Sequence, residues 1–194
     1  KISKTGSLQW TYCYGGTLDD GALKVMQSQD GNYAATGWFE EGIDQDSWFF
    51  SLDVDGNLVS DKKYGGDSAE YAGSLLQNYT NTFVLAGTSA SPVSGDVTTH
   101  IGGEDIWLYE GETTDGLNWQ KSMGGTANER ATGCFLNADT SFMVAGYTNS
   151  NDVDVSGNHG DYDWWLVKLN PGCSVHASFT YSNVANVVTF SNGS

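Results

Sequence analysis

The chain is poor in basic residues, proline and cysteine, and each shortage narrows its chemistry. Only 8 of 194 residues are Lys or Arg, against 24 Asp or Glu, for a formal net charge of −16. A phosphate backbone or an anionic membrane surface would be repelled, which leaves divalent cations and neutral glycans as the better-matched ligands. There are 2 Pro and little Leu, Lys or Glu, which argues against helices. Cysteine occurs three times, as Cys13, Cys134 and Cys173. An odd count does not make a disulfide framework, and the spacing fits no zinc motif. A Cys13–Cys173 bridge with a free Cys134 is one candidate arrangement. No stretch approaches the roughly 18 apolar residues of a membrane span. The chain opens on Lys1 with no signal peptide, and it reads as processed or excised.

What is abundant is glycine, at 25 residues, with 7 Trp, 10 Tyr and 8 Phe. Such a composition suits many short strands joined by tight turns. The glycines are also periodic. Doublets occur at Gly15-Gly16, Gly65-Gly66 and Gly124-Gly125, at intervals of 50 and 59. Gly37, Gly87 and Gly146 recur at the same intervals, closing the pentapeptides YAATG, FVLAG and FMVAG. Asp46-Ser47-Trp48, Asp105-Ile106-Trp107 and Asp163-Trp164-Trp165 form a third marker. Asp20, Glu70 and Glu129 form a fourth, in register with Ala22, Ala72 and Ala131.

Each copy reads as four strands. One runs into the Gly-Gly turn, one follows the acidic residue, one is the pentapeptide strand, and one carries Asp-x-Trp. Four strands per 50–59 residues, with Trp and Gly at fixed places, are the signature of a β-propeller blade. A single four-stranded sheet cannot bury its faces alone, so neighbouring sheets must stack. The fold class is therefore all-β. Propeller blades are expected at approximately 4–53, 54–112 and 113–170 within residues 1–172, with a separate module at 173–194. Three blades fall short of the four or more that close a ring.

The repeated residues suit structural roles. Trp48, Trp107 and Trp165 read as anchors between blades, and Gly37, Gly87 and Gly146 as points of close backbone approach. The repeated acids read as acceptors for turn amides. Function is expected where the copies differ, chiefly at 88–104 and 147–162. The second of these loops places Asp152, Asp154, Asn158, Asp161 and Asp163 within twelve residues. Oxygen donors at that density suit Ca²⁺, although a solvated Asx-rich turn needs no ion. Trp164, adjacent to Trp165, falls on the opposite face of its strand. With His159, His100 and Asp96 it forms a candidate binding platform.

The second and third copies resemble the propeller-type repeats of large secreted proteins of Bacteroidetes. The shared pattern is a Trp, Gly-Gly, an acid, VAG-T, DVSGNHG, Asp-x-Trp and VKL. The third copy matches nearly residue by residue, and the first lacks the long loop. The tail, CSVHASFTYSNVANVVTFSNGS, resembles the first two strands of a PKD-type immunoglobulin-like domain. The resemblance implies export by the type IX system to the surface or medium. It implies an adhesin, a display scaffold or an accessory region, and no particular reaction. A non-catalytic scaffold or binding region is the leading expectation, with other domains, protein subunits or glycans as partners. The alternatives are an accessory or catalytic propeller of a polysaccharide-acting enzyme, or a part of a larger surface or secretion assembly. Residues 113–119, TTDGLNW, resemble the Asp-box turn of sialidases, but those enzymes clamp substrate with several arginines and this chain has only Arg130.

Overall fold

The computed structural model describes residues 1–79, 82–111 and 116–170 in full, and the backbone of 179–184 and 187–192. Eleven strands form three antiparallel sheets. Sheet I holds β1 (Asp20–Gln27), β2 (Tyr33–Glu41), β3 (Asp44–Leu52) and β4 (Leu58–Tyr64). Sheet II holds β5 (Glu70–Gln77), β6 (Phe83–Ser89), β7 (Asp105–Gly111) and β8 (Leu117–Met123). Sheet III holds β9 (Glu129–Leu136), β10 (Phe142–Thr148) and β11 (Asp163–Leu169). A separate hairpin pairs β12 (Phe179–Val184) with β13 (Val187–Asn192). No helix among the described residues is long and apolar enough to cross a membrane.

The sheets are offset from the repeats read in the sequence. The strand before each Gly-Gly turn joins the sheet of the preceding copy. β4 pairs with β3, and β8 pairs with β7. The hydrogen-bonded units therefore span 20–64, 70–123 and 129–169, in place of 4–53, 54–112 and 113–170. The corresponding segment of the first copy is residues 8–14. Among the described residues it pairs with no strand of any sheet.

Alternation gives each sheet two faces. The front face carries Trp48 and Phe50 in sheet I, Trp107 and Tyr109 in sheet II, and Trp165 and Val167 in sheet III. The back face carries Ser47 and Phe49, Ile106 and Leu108, then Trp164 and Leu166. The back of sheet I meets the front of sheet II through Ala34, Phe49 and Tyr64 against Leu75, Leu85, Trp107 and Tyr109. The back of sheet II meets the front of sheet III through Val84, Ile106, Leu108 and Met123 against Phe142 and Val144, with Trp165 and Val167 alongside. Each fully buried Leu, Ile or Phe in these seams contributes about 1.5–3 kcal/mol.

The glycine that closes each pentapeptide lies within its strand, opposite a β-bulge in the neighbouring first strand. The ladder slips between Ala22 and Lys24, between Ala72 and Ser74, and at the Ala145–Gly146 step. The extra residue drives a carbonyl of the first strand toward the glycine. A side chain at Gly37, Gly87 or Gly146 would collide with the carbonyl oxygen of Gly21, Tyr71 or Arg130.

Candidate functional site

The repeated acids secure the turns between sheets. The Asp20 carboxylate accepts hydrogen bonds from the backbone N–H of Gly16 (2.6 Å) and Glu40 (3.1 Å). Glu70 accepts from Gly66 N–H (2.7 Å), the Ser89 hydroxyl (2.7 Å) and Ser91 N–H (3.2 Å). Glu129 accepts from Gly125 N–H (2.7 Å) and the Thr148 hydroxyl (2.5 Å). Glu70 and Glu129 are fully buried. Each ties a Gly-Gly turn to the end of the third strand, so neither has a carboxylate oxygen facing solvent chemistry.

The Asp-x-Trp acids cap the loops ahead of their strands. Asp105 accepts from Ile101 N–H (2.8 Å) and Gly102 N–H (3.4 Å), and burial raises its pKa. Its Oδ1 is buried without a hydrogen-bond partner. Burial likewise raises Asp46, helped by the charges of Glu70 and Asp96. Asp163, which is half-buried, moves the other way because it accepts His159 N–H at 2.5 Å and the His159 ring at 2.9 Å. The acids crowd the turns as well. A side chain at Gly124 would meet Asp105 Oδ1 at 2.6 Å, and one at Gly65 would meet Glu70 Oε2 at 2.7 Å.

The long loops fold back on the same turns. Asp96 N–H donates to the Gly65 carbonyl at 2.7 Å, and its carboxylate accepts Gly65 N–H at 3.2 Å. Asp154 repeats both bonds with Gly124, at 3.1 and 3.3 Å. The Asp152 carboxylate accepts Thr126 N–H (2.8 Å) and the Thr126 hydroxyl (2.6 Å), which lowers its pKa. Asn158 donates to the carbonyls of Thr148 (3.1 Å) and Asp161 (3.2 Å). The carboxylates of Asp152, Asp154 and Asp163 thus each have their own donors, and Asn158 binds the Asp161 carbonyl. No group of three or more His, Cys, Asp or Glu side chains placed to hold a metal occurs among the described residues.

The expected platform divides in two. Trp164 and His159 line one shallow hollow of about 280 Å³, together with Val155, Gly157 and Trp165. Trp164 is 91% exposed. Asp96 and His100 belong to the earlier loop, where His100 lies 3.4 Å from Asp105. Trp48 and Trp107 are buried, and Trp165 is half-buried. Cys13 is exposed and free, Cys173 lies outside the described residues, and burial raises the Cys134 thiol above its usual pKa.

Sequence reasoning passed over the Glu104–Arg130 pair. Arg130 donates to both carboxylate oxygens, through Nε to Oε2 and through Nη2 to Oε1 at 2.8 Å. It clasps the loop of sheet II to the first strand of sheet III. Neither residue belongs to the repeat, so periodicity gave no signal; the only arginine in an acidic chain was the available cue. An open groove of about 660 Å³ lies at the turn end of sheet I. Asp30 is the one carboxylate lining it, and that side chain accepts from Ser28, Asn32 N–H and Asn32 Nδ2.

No protein-family model matches the chain, and no curated protein matches it.

Proposed function

We propose that the chain is a non-catalytic scaffold and contact region of a secreted or surface-displayed bacterial protein, built of propeller-type blades. The observation that carries this reading is the use made of the carboxylates. The repeated acids Asp20, Glu70 and Glu129 are engaged in holding turns. Hydrolysis of glycosides ordinarily needs two carboxyl groups facing one cleft. The groove at the turn end of sheet I has one, and it is already hydrogen-bonded within its own turn. What the chain offers outward is surface, and the apolar back of sheet III is its least covered part. The net charge of −16 favours neutral or basic protein partners and neutral glycans over anionic ones. The hairpin β12–β13 fits the start of a PKD-like module attached to the blades.

The test is direct. The chain is incubated with a panel of soluble polysaccharides, and reducing ends are counted. None should appear above the level of heat-denatured protein. Reducing-end release that drops on Asp30→Asn substitution would replace this reading with the enzyme alternative.

A further inference from the structure

The repeated acids also meet one another across the seams. Asp105 opens β7 in sheet II and Glu129 opens β9 in sheet III, and both approach the same face of Gly124. A Gly124 side chain would meet Asp105 Oδ1 at 2.6 Å and Glu129 Oε2 more closely still. The seam between sheets I and II repeats the arrangement. Glu70 Oε2 from β5 lies 2.7 Å from the place of a Gly65 side chain, with Asp46 Oδ1 from β3 closer. Both seams use the same two oxygens, Oδ1 of the aspartate and Oε2 of the glutamate.

The hydrogen bonds of Asp105 fall on one oxygen. Its Oδ2 accepts from Ile101 N–H (2.8 Å) and Gly102 N–H (3.4 Å), with the His100 ring at 3.4 Å. Its Oδ1, on the Glu129 side, is buried without a partner in a residue that is 1% exposed. Glu129 is fully buried, and its Oε2 accepts Gly125 N–H at 2.7 Å. A carboxylate oxygen buried without a donor is unfavourable, and two carboxylates in one dry site repel when both ionise. A proton on Asp105 Oδ1 relieves both. It makes that oxygen a donor and leaves one negative charge in place of two.

The charges around each pair act in the same direction. His100, on the loop before β7, is the base against Asp105, while Glu129 opposes its ionisation from β9. Asp154, on the loop before β11, brings a further carboxylate, which accepts Gly124 N–H at 3.3 Å. Glu104 and Arg130 cross the same seam but neutralise each other. Around Asp46 the acting charges are Glu70, Asp96, Asp44 and Glu41, all acids, with Glu41 itself paired to Lys63 at 3.6 Å. Burial is the first cause that raises Asp46 and Asp105 above the usual carboxylate range.

We infer that each pair, Asp105 with Glu129 and Asp46 with Glu70, shares one proton, and that this proton is a pH-sensitive latch between neighbouring sheets. With the proton in place, the aspartic acid O–H can donate across the seam to the glutamate. Once it leaves, two like charges face each other over one glycine. The latch therefore closes in acid and opens as pH rises through the upper midpoint of the pair. The sign is that of a carboxyl raised in the folded state. Its contribution is complete below the unfolded value of about 3.9 and is lost as pH rises through the folded value.

Carbon-13 NMR of the side-chain carboxyls reads the coupling. Asp105 and Glu129 should show the same two titration midpoints, as members of one site. Separate single midpoints would overturn the inference. Glu129→Gln removes one charge and should move the Asp105 midpoint down by about one pH unit or more. A midpoint that stays in place would mean that burial alone raises it, which also overturns the inference. Amide exchange at Gly124 and Gly125 reads the latch. Protection should fall about tenfold as pH rises through the upper midpoint. Asp105→Asn places a permanent donor at the same position and should hold protection level over that range. An equal fall in the parent and in this variant contradicts the latch. Asp46→Asn, read at Gly65 and Gly66, should behave the same way in the other seam. None of these readouts involves polysaccharide, so the scaffold reading stands or falls separately.

Discussion

Sheets II and III carry the same repeat markers, yet they differ in what covers them. In sheet II the back-face positions of the Asp-x-Trp strand hold Ile106 and Leu108, sealed against sheet III. In sheet III the same positions hold Trp164 and Leu166, open to water. The front faces differ less, because both meet a preceding sheet. One repeat therefore serves as core in one place and as surface in another, and position in the stack decides which.

Substitution separates the two sheets most sharply at the tryptophans. Trp107→Ala should cost about 3–5 kcal/mol, since it opens a cavity in the seam between sheets I and II. Trp164→Ala should cost less than about 0.5 kcal/mol. Chemical denaturation of both variants checks the contrast. Equal losses would mean that sheet III is covered from within. Glu129→Gln comes next. It leaves the shape but removes the charge that draws in Gly125 N–H and the Thr148 hydroxyl, for about 1–3 kcal/mol. Glu70→Gln should match it, because the two acids make equivalent bonds. Gly87→Ala, by contrast, drives a methyl into the Tyr71 carbonyl, and thermal unfolding should show a loss of about 1–3 kcal/mol.

Smaller effects concern pH. The Asp152 pKa is lowered in the folded state by its bonds to Thr126. A lowered carboxylate adds stability that is complete above the unfolded value of about 3.9 and is lost as pH falls through the folded value. Asp152→Asn should therefore flatten the fall in melting temperature below about pH 4 relative to the parent. Asp105 is raised by burial, so its sign is opposite. Its ionisation opposes folding as pH rises through the folded value, and Asp105→Asn should relieve that loss above about pH 4. Melting curves across acid pH test both signs, and parallel curves for the two variants would contradict the assignment.

Much of the fold was legible because the repeat states each constraint three times. FMVAG, Asp-x-Trp and the acid before the second strand correctly marked strands, seams and turn acceptors. The grouping of strands was not legible, since the Gly-Gly turn reads equally as a hairpin within a sheet or as a crossing between sheets. The structure makes it a crossing. The calcium expectation drew on composition alone. Composition counts the oxygens of Asp152, Asp154 and Asp163 but says nothing of the amides of Thr126, Gly124 and His159 that claim them. Trp164 was legible as outward-facing from alternation alone. Its meaning emerged only when the occupied seams of sheets I and II could be laid beside it.

Hydrogen exchange on β7 and β11 tests the central claim most directly. β7 lies between two paired strands and should exchange slowly. β11 pairs with β10 alone among the described residues and should exchange faster. Equal protection of the two strands would contradict the account.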